Sequence, residues 1–361
     1  MVEPSRFVSK LDPYKITPQD VWSANAPKNL LKLDWNESPF DFEIYRKQIR
    51  KIIDGRGIIS WYPDYLALEL TSELSSFINI NSNFILTFPG SDVGLETLCR
   101  AYLEPEDRVL VVSPTYENFY VFALQTGAQI DNFEIKPPFN LTFDLLDNRL
   151  KNSCSIKAVY LTRPNNPFGY LIDSSLVEKI ASKYPSTMFI VDEAYIEFSD
   201  KKSCAVLVTK LSNIVVSRTF SKAFGLAGIR LGYLCADLDV INNVNKIRNG
   251  KNLSMISQKL GLFALRNIDK INEWISSVRK GRKCFENWCK TEGIEYYPSH
   301  GNFVLFKASR PSKLCSELKA LGIYIRNRDS VVPGYVRLTI GSEKHVNRII
   351  NSLKILRELI F

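Results

Sequence analysis

Short apolar runs that each end in a polar cluster predict an α/β fold built on a mostly parallel sheet. Helical patterns between most of the runs support this, as does the chemical capability of the clusters themselves. Runs of β-branched and apolar residues without alternation suit strands buried on both faces. In chain order they are Phe84–Phe88, Arg108–Val112, Ala158–Leu161, Met188–Val191 and Ile214–Val216. Helices are expected at Val93–Leu103, Tyr116–Thr126 and Ser175–Lys183. Open α/β sheets bind ligands outside the carboxyl ends of their strands. The clusters Pro89–Asp92, Ser113–Tyr116, Arg163–Gly169, Asp192–Tyr195 and Ser217–Arg230 all fall at such ends.

The residues in these clusters point to a planar, phosphorylated, cationic ligand. Lys222 follows an apolar strand, an unusual place for an ammonium group. It reads either as a surface lysine in a Ser/Gly-rich turn or as an amine that loses its proton to attack a carbonyl. Gly90-Ser91-Asp92 opens a helix, where free N–H groups and the dipole favour a phosphate. Thr219, Ser221 and Arg230 add hydroxyl donors and a fixed cation for the same anion, and Tyr116 offers a ring to a planar heterocycle. Asp192 is a carboxylate at the end of an apolar strand, costly unless paired; a protonated ring nitrogen would be a partner. A reactive amine, a phosphate cradle, a stacking aromatic and this carboxylate together describe a pyridoxal phosphate site.

The ordered motifs Asn36-Glu37-Ser38-Pro39, Tyr62-Pro63-Asp64, Gly90-Ser91-Asp92, Pro164–Gly169, Asp192–Tyr195, Ser221–Arg230 and Arg337–Gly341 span nearly the whole chain, with Asp192 and Lys222 thirty residues apart. In these motifs the chain resembles the fold-type-I, pyridoxal-phosphate-dependent aminotransferases, and among them the histidinol-phosphate aminotransferase branch. The resemblance implies a large domain, with a mostly parallel central sheet flanked by helices, and a smaller α+β C-terminal domain. It implies that Lys222 holds the cofactor as a Schiff base and then acts as general base and acid. Asp192 would keep the pyridine nitrogen protonated, and Tyr195 and Asn166 would hydrogen-bond the ring hydroxyl oxygen. Gly90, Ser91, Asp92, Thr219, Ser221 and Arg230 would surround the phosphate, and Tyr116 would stack on the ring. Tyr62 would reach the phosphate of a neighbouring subunit, so a homodimer is expected.

For the substrate, the resemblance implies that Arg337 grips an anionic group, for which the planar guanidinium fork is suited. Arg326 and Tyr14 would hold a distal phosphate, and Asn36 would also face the substrate. The chain departs from the family pattern at Arg163, Phe168, Trp35 and Gly301, and an added arginine and two aromatics near the pocket would alter which side chain fits. The leading expectation is exchange of an amino group between histidinol phosphate, or a related amino compound, and 2-oxoglutarate/glutamate. Three alternatives stand beside it: a decarboxylase of a phosphorylated amino acid, an aminotransferase paralogue acting on another amino compound, and a non-catalytic cofactor-binding regulatory module.

Domain limits follow from the patterns. Residues 1–33 lack strong periodicity and carry Pro4, Pro13, Pro18 and Pro27, as an arm wrapping another part of a dimer would. Residues 34–249 form the large domain, and 250–361 a bridging helical segment and small domain. Strands are expected there at Asn302–Phe306 and Val336–Ile340, with helices at Ser312–Leu321 and Glu343–Leu356. Closure of the small domain would bring Arg326 and Arg337 to the cofactor.

The net charge of +9 raises nucleic acid as a partner, but the basic residues are dispersed. The cluster Arg279–Lys283 reads as the solvated face of a helix whose other side carries Val278, Cys284, Phe285 and Trp288. Seven cysteines without metal-type spacing and only two histidines argue against a zinc site. Free thiols, with no visible signal peptide or membrane span, lead to the expectation of a cytoplasmic protein.

Overall fold

The computed structural model describes residues 2–11, 20–22, 29–40, 42–137 and 139–361. In chain order its strands are β1 (Leu31–Leu33), β2 (Ile85–Phe88), β3 (Arg108–Ser113), β4 (Gln129–Glu134), β5 (Ile156–Thr162), β6 (Met188–Asp192), β7 (Ile214–Thr219), β8 (Gly232–Ala236), β9 (Tyr296–Tyr297), β10 (Phe303–Lys307), β11 (Ile323–Asn327) and β12 (Tyr335–Thr339). A seven-stranded sheet runs in the order β2-β8-β7-β6-β5-β3-β4, and a five-stranded sheet runs β1-β11-β12-β10-β9. This is the expected α/β architecture, a large sheet that is mostly parallel and a smaller mixed one.

The non-alternating runs have the expected cause. Val109 and Val111 pack on one face of the large sheet with Leu98 and Phe119, while Leu110 and Val112 pack on the other with Leu146 and Val177. Full burial of each such side chain contributes roughly 1.5–3 kcal/mol, so both faces demand apolar residues. Helices Ser91–Tyr102, Asn118–Leu124 and Ser174–Lys183 lie between the strands where helical patterns were expected.

Two strands of the large sheet, β8 and β4, lie outside the five expected runs. β8 is antiparallel to both β2 and β7, so the run ending at Phe88 has no parallel neighbour. β4 was not expected, because it is an edge strand with exposed, polar positions and no continuous apolar run.

The small sheet includes β1, which pairs in parallel with β11 from Leu31↔Ile323 to Leu33↔Ile325. The chain therefore enters the C-terminal unit before it builds the large sheet. The expected boundary near residue 33 falls at the end of this strand.

The long helix Ile268–Glu292 exposes Lys280 and Lys283 and buries Val278 and Phe285 as expected, but corrects the reading of Arg279 and Arg282 as part of the solvated face. Arg282 is buried and donates to the carbonyls of Phe198 and Gly301, while Arg279 donates to those of Glu197, Phe198 and Ser199. Guanidinium groups can cap a run of loop carbonyls while their stems pack against apolar surface, which a charge count does not reveal. Among the described residues, no helix is long and apolar enough to cross a membrane.

Candidate active site

Five parallel strand ends and two strands of the small sheet converge on a cavity of about 420 Å³. At its floor the ladder aligns Thr162, Asp192 and Ser217 across β5, β6 and β7. Asp192 is buried; its Oδ2 accepts from the hydroxyl of Tyr160 at 2.8 Å and its Oδ1 from the N–H of Ala194 at 3.1 Å. Burial pushes its carboxyl up to about 6, against the two hydrogen bonds. Tyr160 escaped the sequence reading. The signal was a lone hydroxyl-bearing aromatic inside an apolar strand, and its ring is stacked on Phe119 at 3.7 Å.

Lys222 follows β7 after a turn in which the N–H of Ser221 donates to Thr219 Oγ1. Its Nζ donates to the carbonyl of Trp35 at 2.9 Å. Burial, reinforced by the charge of Arg337, lowers its pKa to about 8, and Glu37 and Asp92 oppose the shift. At pH 7 roughly a tenth of such an amine is neutral, far more than for a solvated lysine.

Tyr195 stands between two fixed amides. Arg337 Nη1 donates to Asn166 Oδ1 at 2.6 Å, turning Asn166 Nδ2 toward the Tyr195 oxygen at 3.3 Å. Thr339 Oγ1 donates to Asn36 Oδ1, turning Asn36 Nδ2 to the same oxygen at 3.1 Å. With two donors on its oxygen, Tyr195 keeps its own O–H as a donor, and burial raises its pKa above the ordinary value. Asn36 itself is buried behind the wall, at a φ of 56°, with its carbonyl accepting from Asn302 Nδ2.

At the opposite side, helix Ser91–Tyr102 begins after Gly90, whose φ is +91°. That φ favours glycine, and the Arg230 guanidinium packs close against it: a Cβ on Gly90 would lie 2.5 Å from Nη2. Arg230 donates to Ser221 Oγ at 3.2 Å and faces Asp92 at 3.9 Å. The hydroxyl of Tyr116 donates to Asp92 Oδ1 and accepts from Asn118 Nδ2.

Of the residues singled out in the sequence, Ser91, Asp92, Tyr116, Asn166, Asp192, Tyr195, Thr219, Ser221, Lys222, Arg230, Arg326 and Arg337 line this one cavity. Gly90 and Asn36 support it from behind. Tyr62 does not line it: its side chain is 77% exposed, with the ammonium of Lys251 4.2 Å from the ring centroid. Tyr14 lies outside the described residues. The lining residues Glu37, Glu117 and Arg328 carried no expected role.

Two of the expected specificity residues are corrected. Arg163 is 1% exposed and turned away from the cavity, with Nη1 on Glu193 Oε1 at 2.7 Å and Nε on the carbonyl of Ile172. Phe168 packs between Phe139 and Tyr297. Trp35 does line the cavity. Replacing Arg163 by methionine should therefore act on stability, because it strands the Glu193 carboxylate. The expected loss is about 3–5 kcal/mol in urea unfolding, recovered only in part in Arg163→Met/Glu193→Leu, which deprives the Cys204 N–H and the Ser203 hydroxyl of their acceptor. An unshifted unfolding midpoint with altered substrate preference would return Arg163 to the pocket.

A mostly parallel sheet whose strand ends bring a buried lysine and a buried carboxylate to one cavity, beside an arginine at a helix start, defines a pyridoxal-phosphate-dependent enzyme of fold type I. The sequence pattern of the family "Aminotransferase class I and II" matches residues 28–353, and the chain belongs to that family. It is a pyridoxal-phosphate-dependent aminotransferase of the histidinol-phosphate aminotransferase-like branch. It is 32% identical to a dihydroxyacetone phosphate transaminase of Campylobacter jejuni, over 98% of this chain and 97% of the relative. It is 30% identical to the histidinol-phosphate aminotransferase of Methanocaldococcus jannaschii, over 98% and 96%. In fold it is similar to the Sinorhizobium meliloti histidinol-phosphate aminotransferase in complex with pyridoxal-5'-phosphate, at a TM-score of 0.87, 20% identity, and coverage of 99% and 98%. The residues present fit that cofactor: Arg230 and Ser221 lie against Gly90 at a helix start, and Asp192 is a buried acceptor for a ring cation.

Proposed function

We propose that this aminotransferase exchanges an amino group between histidinol phosphate, or a related 2-aminoalkyl phosphate, and 2-oxoglutarate/glutamate. The observation that carries the reading is the grouping of Arg326 and Arg337 on one side of the cavity that holds Lys222. The names of the two relatives support it. The amine of histidinol phosphate, and the amine that transamination of dihydroxyacetone phosphate would give, both carry nitrogen on the carbon next to a phosphoryloxymethyl group. They differ only in the remaining substituent.

In this proposal each side chain has a physical task. The bound cofactor supplies an electrophilic carbonyl equivalent and an electron sink. Lys222 holds it covalently, then moves a proton at the substrate carbon, a transfer suited to an amine with a pKa near working pH. Asp192, held by Tyr160 and Ala194, stabilises the ring cation. Tyr195 donates its free O–H to the ring oxygen, beside Asn166. Ser91, Asp92, Thr219, Ser221 and Arg230 surround the phosphate, with Tyr116 against the ring. Arg337, already braced by Asn166 and the carbonyl of Asp34, binds a substrate anion. Tyr62, with the neighbouring exposed Ile59 and Trp61, belongs to a homodimer interface and reaches the partner's site. Seven free thiols suit a cytoplasmic setting.

The test is steady-state exchange with 2-oxoglutarate, following glutamate formation from histidinol phosphate, 2-amino-3-hydroxypropyl phosphate, phosphothreonine and histidine. The expected result is turnover of one or both 2-aminoalkyl phosphates with kcat/KM at least about 100-fold above histidine. Release of carbon dioxide from phosphothreonine without consumption of oxo acid would replace this reading with the decarboxylase.

A further inference from the structure

Beyond Arg326, the cavity carries a second arginine on the same strand edge. The N–H of Arg328 bonds the carbonyl of Tyr335 at 3.1 Å, continuing the ladder just past β11. In an extended segment residues i and i+2 share a face. Ile323 and Ile325 accordingly point into the core, and Arg326 and Arg328 both line the cavity. Arg328 is only 7% exposed. Its Nη1 reaches across to Glu117 Oε2 at 3.2 Å, while its buried Nε has no hydrogen-bond partner. Next to Glu117, the buried Oδ1 of Asn118 also has no partner.

A buried guanidinium N–H without an acceptor is costly, and here it belongs to a side chain lining the substrate cavity. Glu117 neutralises one unit of charge, and as a carboxylate it leaves the fork half used. A phosphomonoester is dianionic near neutral pH, with three acceptor oxygens, and it can take Nε and the remaining Nη while Arg326 takes another oxygen. A carboxylate brings one charge against two guanidinium groups, and its two coplanar oxygens meet both forks less completely than three tetrahedral ones.

We propose that Arg328 is a specificity-determining substrate residue that, with Arg326, selects a phosphomonoester terminus over a carboxylate, and that Glu117 holds its guanidinium in place and competes for it. This rests on the transaminase reading given above and extends it to a residue without an assigned role.

The test uses the holoenzyme and two readouts. Calorimetry measures binding of inorganic phosphate. Single-turnover absorbance measures conversion of the lysine-bound cofactor by 2-amino-3-hydroxypropyl phosphate and by glutamate. Arg328→Gln should weaken phosphate binding roughly 10- to 100-fold. It should also lower kcat/KM for the phosphorylated amine 10- to 100-fold more than for glutamate, mainly through KM. Arg328→Lys should recover only part of the loss, because it restores charge without the fork. Glu117→Gln should tighten phosphate binding by roughly threefold or more.

Equal losses with both amines in Arg328→Gln would reduce Arg328 to a structural brace and overturn the proposal. So would unchanged or weaker phosphate binding in Glu117→Gln, an independent variant should Arg328→Gln fail to fold. Failure of the transaminase reading is distinguishable: no amine would convert the cofactor, yet phosphate binding would still depend on Arg328 and Glu117.

Discussion

Lys222→Ala is expected to lower the rate of amino transfer by on the order of 10⁴-fold or more, since one side chain supplies both covalent attachment and proton transfer. The protein should still bind the cofactor weakly, through the residues around Gly90 and Arg230, but without the visible absorbance of a lysine-bound form. Two features make Lys222 the reactive amine. Burial and the Arg337 charge hold its pKa at about 8, and its Nζ is tethered to the carbonyl of Trp35, within reach of Tyr195. No other lysine lines the cavity among the described residues. An added primary amine should restore part of the rate by replacing the missing base. Retention of the lysine-bound spectrum in Lys222→Ala would assign the attachment elsewhere.

Asp192→Asn should separate function from stability. Activity is expected to fall roughly 10²–10³-fold, the scale for loss of one preorganised electrostatic partner. The cofactor-free protein should become more stable. In the fold, burial raises the Asp192 pKa from 3.8 to about 6, so between those values the native state holds more protons than the unfolded one. Stability contributed by this group therefore falls as pH rises through that window, and the full penalty is present above about pH 6. At pH 7 the relief in the asparagine variant is of the order of 3 kcal/mol at most. Its amide oxygen still accepts from Tyr160 or Ala194. Urea unfolding of both cofactor-free proteins at pH 4 and pH 7 tests this; the gain should be clear at pH 7 and small at pH 4. A destabilised variant at pH 7 would mean that the charge is already compensated within the protein.

Where burial and chemistry act on the same residues, the sequence was readable. The strands that end at Asp192 and Thr219 must be apolar to fill a two-sided core and polar at their ends to meet a ligand, and both demands show in one short stretch. Partners that cross the fold were not readable. Tyr160 reaches Asp192 from a neighbouring strand, Thr339 turns the amide of Asn36 from 303 positions away, and Arg328 meets Glu117 across 211. Nothing local marks such pairs. Arg163 shows the converse: it adjoins the Pro-Asn-Asn-Pro motif, yet strand alternation turns it into the protein, where Glu193 compensates its charge. Proximity in sequence to a site motif does not decide which side of the backbone a residue occupies.

The most direct measurement follows the absorbance of the holo-protein as one equivalent of histidinol phosphate, or of 2-amino-3-hydroxypropyl phosphate, is added, followed by 2-oxoglutarate. The account predicts that the band of the lysine-bound cofactor collapses to the amine form with at least one of the two and returns with the oxo acid. Collapse with glutamate alone, and no response to either phosphorylated amine, would contradict it.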